Sequence, residues 1–232
     1  MVNQIRLLDL CCGAGGAAMG YYQAAQKMGI HITITGIDIN EQPNYPFNFI
    51  KTDAVEYIKQ FGKLYTHVHA SPPCQKWSNS TALQRANGKE YPDIVDPIRN
   101  EMLKFGIPCI IENVLQAPIA SDVILRGDMF GLKVLRKRKF ELINWFMLKP
   151  GMPIKRGSVI EGDYVSVFGK AAWIKSGKMK VAGQKMPKFK KKTIMETWKY
   201  AMGIDWKISN KELSEAIPPA YTNYLGLEFL KQ

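Results

Sequence analysis

The constraint that most narrows the fold sits in the first forty residues. An apolar run, Ile5 to Leu10, enters the turn Asp9-Leu-Cys-Cys-Gly-Ala-Gly-Gly16. A helical pattern from Gly15 to Gly29 follows, ending on glycine, and then a second apolar run, Ile32 to Asp38, rich in Ile and Thr. Strand, glycine turn, helix, strand leaves few architectures open, and the chain continues in the same idiom. Phe49–Asp53 reads as a short strand, Ala54–Phe61 as helix, Tyr65–Ala70 as strand, Asp96–Phe105 as helix and Pro108–Glu112 as strand. Such alternation predicts an α/β domain with a parallel sheet and helices on both faces. Ligands in such sheets bind beyond the carboxyl ends of the strands.

The pattern changes after about residue 130. Arg138–Phe146 can form one more strand, but 149–192 is rich in Gly and Lys and weakly periodic, which marks an insert. Helical pattern returns at Thr193–Met202 and Pro219–Leu230. Three segments are therefore expected: a catalytic core at 1–149, a small basic insert at 150–192, and C-terminal helices at 193–232 that complete the core. A length of 232 residues suits one domain with a small appendage.

Charge follows the same division. The chain carries +12, yet residues 133–199 hold 18 Lys or Arg against 4 Asp or Glu, while the remainder holds 14 against 16. A near-neutral body with one basic stretch points to a polyanion partner for that stretch, the bland reading being a solvated loop. No run approaches the ~18 apolar residues of a membrane span, and Met1–Leu10 lacks the pattern of a secretory leader. Cys11, Cys12, Cys74 and Cys109 include no Cys-x-x-Cys pair, so neither a disulfide framework nor a zinc site is expected. A cytoplasmic, reducing setting follows, with no membrane and no metal.

Three groups of residues carry chemistry. Glycines at a strand-to-helix turn let a ligand approach the backbone. Asp38 closes the next strand, where it can accept from ribose hydroxyls, and Asp53 closes the third, within reach of an adenine amino group. The spacing is not Gly-x-Gly-x-x-Gly, which favours a single adenosyl group over a dinucleotide. In Ala70-Ser-Pro-Pro-Cys-Gln75 the paired prolines stiffen the approach to Cys74, whose polar neighbours suit a nucleophile better than a core thiol. Cys109, inside an apolar strand, reads as a small core hydrophobe. Glu112 ends that strand against an apolar wall, which should raise its pKa and make it a proton donor. Arg136 and Arg138 share one face if the chain is extended there, and can hold phosphates or polarise a carbonyl. His67 and His69 share a strand face, but no third ligand is in reach by sequence.

Taken in order, Asp-Leu-Cys-Cys-Gly-Ala-Gly-Gly, Ser-Pro-Pro-Cys-Gln, Ile-Glu-Asn-Val and Arg-Lys-Arg-Lys resemble the motifs of cytosine-5 DNA methyltransferases. Ala201-Met-Gly-Ile-Asp-Trp206 and Glu215-Ala-Ile-Pro-Pro-Ala-Tyr221 look like the closing motifs of short, phage-type members. The resemblance covers most of the chain outside about 150–192. It implies a Rossmann-like sheet that binds S-adenosylmethionine (SAM), with the insert acting as a reduced target-recognition subdomain. It also implies Cys74 as the nucleophile on cytosine carbon 6, Glu112 as the donor to ring nitrogen 3, and Arg136 and Arg138 beside them, lowering the thiol pKa. Cys11, Cys12, Gly13, Gly15 and Gly16 match the glycine-turn motif. Asp38 and Ile39 match the ribose and adenine contacts, Asp53 and Ala54 the adenine edge, Pro73 the wall near the methyl, and Ala216 and Ile217 the closing motif.

The expected partner is double-stranded DNA, with the target base flipped out and the protein monomeric, in a bacterial or phage-infected cell. Gln75 to Tyr91 is the expected lid, with Gln75, Ser78 and Arg85 facing nucleic acid. Lys188, Lys190, Lys191 and Lys192 are expected on phosphates, and Tyr164, Phe168, Trp173 and Phe189 on bases. Two departures stand out: Val134 where glutamine is common, and Ser214-Glu215 in place of Gly-Asn. A tRNA cytosine-5 methyltransferase of the same family and a silent DNA-binding relative remain the alternatives.

Overall fold

The structure, a computed structural model, describes residues 4–167 and 185–232. Phe168 and Trp173 lie outside the described residues. Seven strands form one sheet in the order β3-β2-β1-β4-β5-β7-β6. These are β1 (Ile5–Leu10), β2 (Ile32–Asp38), β3 (Asn48–Lys51), β4 (His67–Ala70), β5 (Cys109–Asn113), β6 (Val123–Leu125) and β7 (Arg138–Ile143). The first five run parallel. The expected parallel sheet with helices on its faces is present, and β7 is added to it antiparallel to both β5 and β6. Only a four-residue 3-10 turn, Gly127–Phe130, lies between β6 and β7, so the chain turns back without a crossover helix and takes the antiparallel pairing.

Helices α1 (Gly16–Met28), α2 (Ala54–Phe61), α4 (Val95–Phe105) and α7 (Pro219–Phe229) cover the sheet. The two-residue period of β1 divides them: Ile5 and Leu7 pack with α1 and α7, while Leu8 and Leu10 pack with α2 and α4. The contact between α1 and α7 is close because Thr222 and Asn223 lie directly over Gly20, and the Thr222 hydroxyl donates to the Ala17 carbonyl at 2.8 Å. The last helix is therefore an integral part of one face. Two short helices, α3 (Ala82–Ala86) and α6 (Asn210–Glu215), were not legible in the apolar pattern, and neither was β6.

A third cluster joins Val165 and Val167 to Trp198, Ala201 and Met202 of α5 (Ile194–Met202), to Leu213 of α6, to Val134, and to Ala14 of the glycine turn. The described part of the basic stretch thus shares a core with the C-terminal helices, although its described residues between 150 and 192 form no helix or strand. Val134 is buried there, as an apolar side chain suits. Among the described residues no helix is long and apolar enough to cross a membrane.

Candidate active site

The strand order reverses between β1 and β4, and the candidate residues gather at the carboxyl ends of β1, β4 and β5 around that point. At β1 the backbone turns through left-handed conformations at Cys11, Gly13 and Gly15. Gly15 is obligatory on two counts, its φ of 85° and the Tyr45 and Pro46 rings where a Cβ would sit. At Gly16 a Cβ would run into the Ile217 carbonyl oxygen, so the closing motif rests directly on the glycine turn. Trp206 adds a second tie, its indole N–H donating to the Ala14 carbonyl at 3.1 Å.

Asp38 at the end of β2 accepts from the Gly13 amide at 3.2 Å and from the Asn40 amide at 2.9 Å. Two fixed donors hold its carboxylate beside the turn and leave it further lone pairs for a ligand hydroxyl. Ile39 next to it is 65% exposed, an apolar face with no covering side chain. Asp53 departs from the simple expectation: one of its oxygens caps α2, accepting from Val55 and Glu56 at 2.8 and 2.9 Å. Only its other oxygen is uncommitted, while Ala54 is buried at the helix start. Open backbone, a fixed acid and an exposed apolar side chain suit an adenosyl group.

Cys74 lies past β4 on a turn whose carbonyl accepts from the Trp77 and Ser78 amides. Glu112 is buried at the end of β5, and the Arg138 Nε lies 2.9 Å from its Oε1. Asn113 binds the two strand ends together, donating to the Pro72 carbonyl at 3.0 Å and accepting from the Val114 amide at 2.8 Å. Sequence reasoning missed this residue, since an asparagine after a strand looks like any turn former.

Burial raises the Glu112 pKa, with Arg138, Ser71 and Arg136 pulling the other way, in keeping with a proton donor. The Cys74 expectation is corrected. Arg138 and Arg136 do favour the thiolate, but burial and Glu112 outweigh them, and the thiol pKa is raised rather than lowered. Cys109 is fully buried, and all four cysteines are free.

The shared face of Arg136 and Arg138 is also corrected. Arg136 has a φ of 30°, outside the extended region, and β7 begins only at Arg138. The Arg136 guanidinium donates to the Val167 carbonyl at 2.9 Å and to the Ser214 carbonyl at 2.8 Å, clamping the basic stretch to the closing motif.

In the expected lid, Arg85 turns inward and donates to the carbonyls of Gln75 and Ser78, organising the loop instead of facing outward. Ser78 caps the next turn through the Ser80 amide. All four lysines are exposed; Lys188 pairs with Asp163 at 2.5 Å and Lys191 lies 4.4 Å from the Tyr200 ring centre, whereas the Lys190 and Lys192 side chains make no bond among the described residues. Tyr164 is buried, its hydroxyl on the Arg156 carbonyl, and so offers no free stacking face; Phe189 leans on Tyr200.

His67 and His69 are both buried and hydrogen-bonded, to Thr66 and the Phe229 carbonyl and to Tyr21 and Ser71 respectively. Among the described residues no three metal-ligating side chains cluster.

No protein-family model matches the chain, and no curated protein matches it. Among solved structures it is similar to the Entamoeba histolytica methyltransferase EhMeth, with a TM-score of 0.56 and 15% identity over 99% of this chain and 100% of that one. A conserved hypothetical protein from Streptococcus pyogenes matches at 14% identity over 64% of this chain and 92% of that one, with a TM-score of 0.37. The first likeness spans both chains, and the two share a Rossmann-like fold.

Proposed function

We propose that this chain is a SAM-dependent DNA cytosine-5 methyltransferase. The observation that carries the reading is the meeting of Cys74, Glu112 and Arg138 at neighbouring strand ends, one strand from the glycine turn. Asp38, Ile39, Ala54, the free oxygen of Asp53 and the backbone of 11–16 would hold the adenosyl end of SAM, and Ala216 and Ile217 would close over it. When bound, SAM supplies an electrophilic methyl group.

The chain's own residues do the rest. Cys74, once its thiol proton has left, forms a bond from Sγ to carbon 6 of the base. Glu112 gives its proton to ring nitrogen 3, so that the electron pair displaced from the ring collects as enamine density at carbon 5. Positioned proton donation of this kind contributes typically ~10²–10⁴ in rate. Arg138 stabilises the carboxylate that Glu112 becomes, and with Arg136 it supports the thiolate. Once carbon 5 carries the methyl group, water takes the carbon 5 proton, the electron pair of that C–H bond forms the carbon 5–carbon 6 double bond as the Sγ–carbon 6 bond breaks, and the proton on nitrogen 3 returns to Glu112, which restores the aromatic ring and frees Cys74 as its thiolate. Flipping the base out of a duplex costs a few kcal/mol, and the basic stretch would offset this through phosphate contacts, with Lys190 and Lys192, exposed and uncommitted among the described residues, the first candidates. We place the protein, acting as a monomer on duplex DNA, in the cytoplasm.

The test is covalent trapping on duplex DNA carrying 5-fluorocytosine, with SAM present and tRNA in parallel. An adduct on DNA that Cys74→Ala abolishes is the expected result. An adduct on tRNA alone would move the substrate to RNA, and binding of SAM and DNA without any adduct would leave a silent relative.

A further inference from the structure

Behind Glu112 runs a line of polar side chains that the reaction above does not use. The Tyr21 hydroxyl on α1 lies 2.9 Å from His69 Nδ1 on β4, and His69 Nε2 lies 2.9 Å from the Ser71 hydroxyl. Ser71 and Glu112 each follow the registered pair Ala70 and Ile111, so they stand side by side at the ends of β4 and β5, and the Ser71 side chain draws the Glu112 pKa down. Tyr21 and His69 are fully buried, and the Ser71 amide is anchored to the Leu10 carbonyl at 3.0 Å. A buried polar chain of this kind has to account for every proton.

Burial drives the His69 pKa down to about 3, so the ring is neutral and carries a single N–H. The only side-chain hydrogen bond found for the Tyr21 hydroxyl among the described residues is to His69 Nδ1. Tyr21 therefore donates, Nδ1 accepts, and the ring proton sits on Nε2, where it donates to Ser71. The Ser71 proton is then left to point at Glu112. Each donor is used once and the direction is fixed from α1 to the end of β5.

We propose that Ser71, oriented by His69 and Tyr21, is a positioning residue for Glu112: a half-buried donor at the neighbouring strand end, its proton left for the carboxylate that proton donation leaves behind. The role of Glu112 as donor to a base rests on the cytosine-5 reading above, whereas the orientation of the chain does not. Ser71 acts alongside the other charged and titratable groups that bear on Glu112, namely Arg138 at the start of β7, Arg136 just before that strand, Cys74 on the loop after β4, Tyr21 on α1 and Tyr221 on α7. Among these it is the one whose hydrogen is directed by a neutral relay.

Two spectra of the full chain test this without any need for methyl transfer. In ¹⁵N-histidine spectra the His69 ring should show the Nε2–H tautomer, unchanged between pH 6 and 8; an Nδ1–H tautomer would overturn the proposal. In ¹³C-glutamate spectra, with the Glu112 signal assigned by its loss in Glu112→Gln, Ser71→Ala should raise the midpoint of Glu112 by about one pH unit or more, the size expected for a lost hydrogen bond to a charged group. Ser71→Thr, which keeps the hydroxyl, should restore it. An unmoved midpoint in Ser71→Ala overturns the proposal, and the tautomer decides alone if that variant does not fold. A wild-type protein that traps no DNA but passes both tests would sink the cytosine-5 reading and leave this one standing.

Discussion

Arg138 holds Glu112 across adjacent antiparallel strands, its Nε 2.9 Å from the carboxylate, with both side chains largely shielded from water. Burial and the guanidinium pull the carboxyl in opposite directions, and burial prevails. An acid balanced in this way keeps its proton more readily than a surface glutamate, yet has a cation at hand when it gives the proton up.

Removing the cation should tip that balance. Arg138→Met is expected to leave Glu112 protonated to higher pH and to cost about 1–3 kcal/mol in urea unfolding, because the carboxyl neutralises instead of remaining a buried charge. The double variant with Glu112→Gln should cost less than the two single changes together, which a double-mutant cycle measures.

The raised Cys74 thiol predicts slow alkylation. At pH 7 less than about three thiols in a hundred are ionised when the pKa lies above its ordinary value, so the rate with iodoacetamide should climb with pH to beyond 9. Partly exposed Cys74 should still react ahead of buried Cys12 and Cys109. Arg138→Met should shift the curve further up, since Arg138 is the largest influence favouring the thiolate.

Asn113→Ala removes a donor to Pro72 and an acceptor for Val114, leaving both backbone groups in a buried site. A loss of about 2–3 kcal/mol is expected from denaturant midpoints. Trapping of DNA should fall with it, since the same bond holds the segment that carries Cys74.

Asp9 gives the protein a pH dependence of its own. The side chain is fully buried, accepts from the Tyr45 hydroxyl at 3.0 Å, and burial raises its pKa to about 8. Unfolded, it would titrate near ~3.9. Between those values the folded state binds more protons than the unfolded one, so stability falls as pH rises from about 4 to about 8. Asp9→Asn, which can still accept from Tyr45, should flatten that slope in a series of melting temperatures.

Gly16→Ala forces a methyl group into the Ile217 carbonyl. Overpacking of this sort costs about 1–3 kcal/mol. Because the clash pushes the closing motif off the glycine turn, binding of S-adenosylhomocysteine by calorimetry should weaken at least about ten-fold, each factor of ten being ~1.4 kcal/mol.

Much of the sheet was legible in the chain itself. The run Ile5–Leu10 and the run Ile32–Asp38 became strands over those same residues, and α1 stops before Gly29 in the left-handed conformation that a glycine at this position permits. A strand buried on both sides must be apolar throughout, and that leaves a mark in the sequence. The three-residue β6 leaves none, because so short a run cannot be told from an apolar loop. The antiparallel course of β7 depends on the missing crossover rather than on any residue within it.

At the candidate site, residue chemistry and sequence position were enough to put Cys74, Glu112, Asp38 and the glycine turn at or just past strand ends, where the structure has them. Partners were another matter. His69 looks in sequence like half of a metal pair, and in the fold it is a neutral link between Tyr21 and Ser71. Arg136 looks like a free cation and is a clamp on Val167 and Ser214, residues 31 and 78 positions away. The sequence determined which groups stand at the strand ends, because strand pattern and side-chain chemistry are local. Only the tertiary structure decided which of them are buried, which way their protons point and what charge they carry, because desolvation and hydrogen bonding are set by residues far off in the chain.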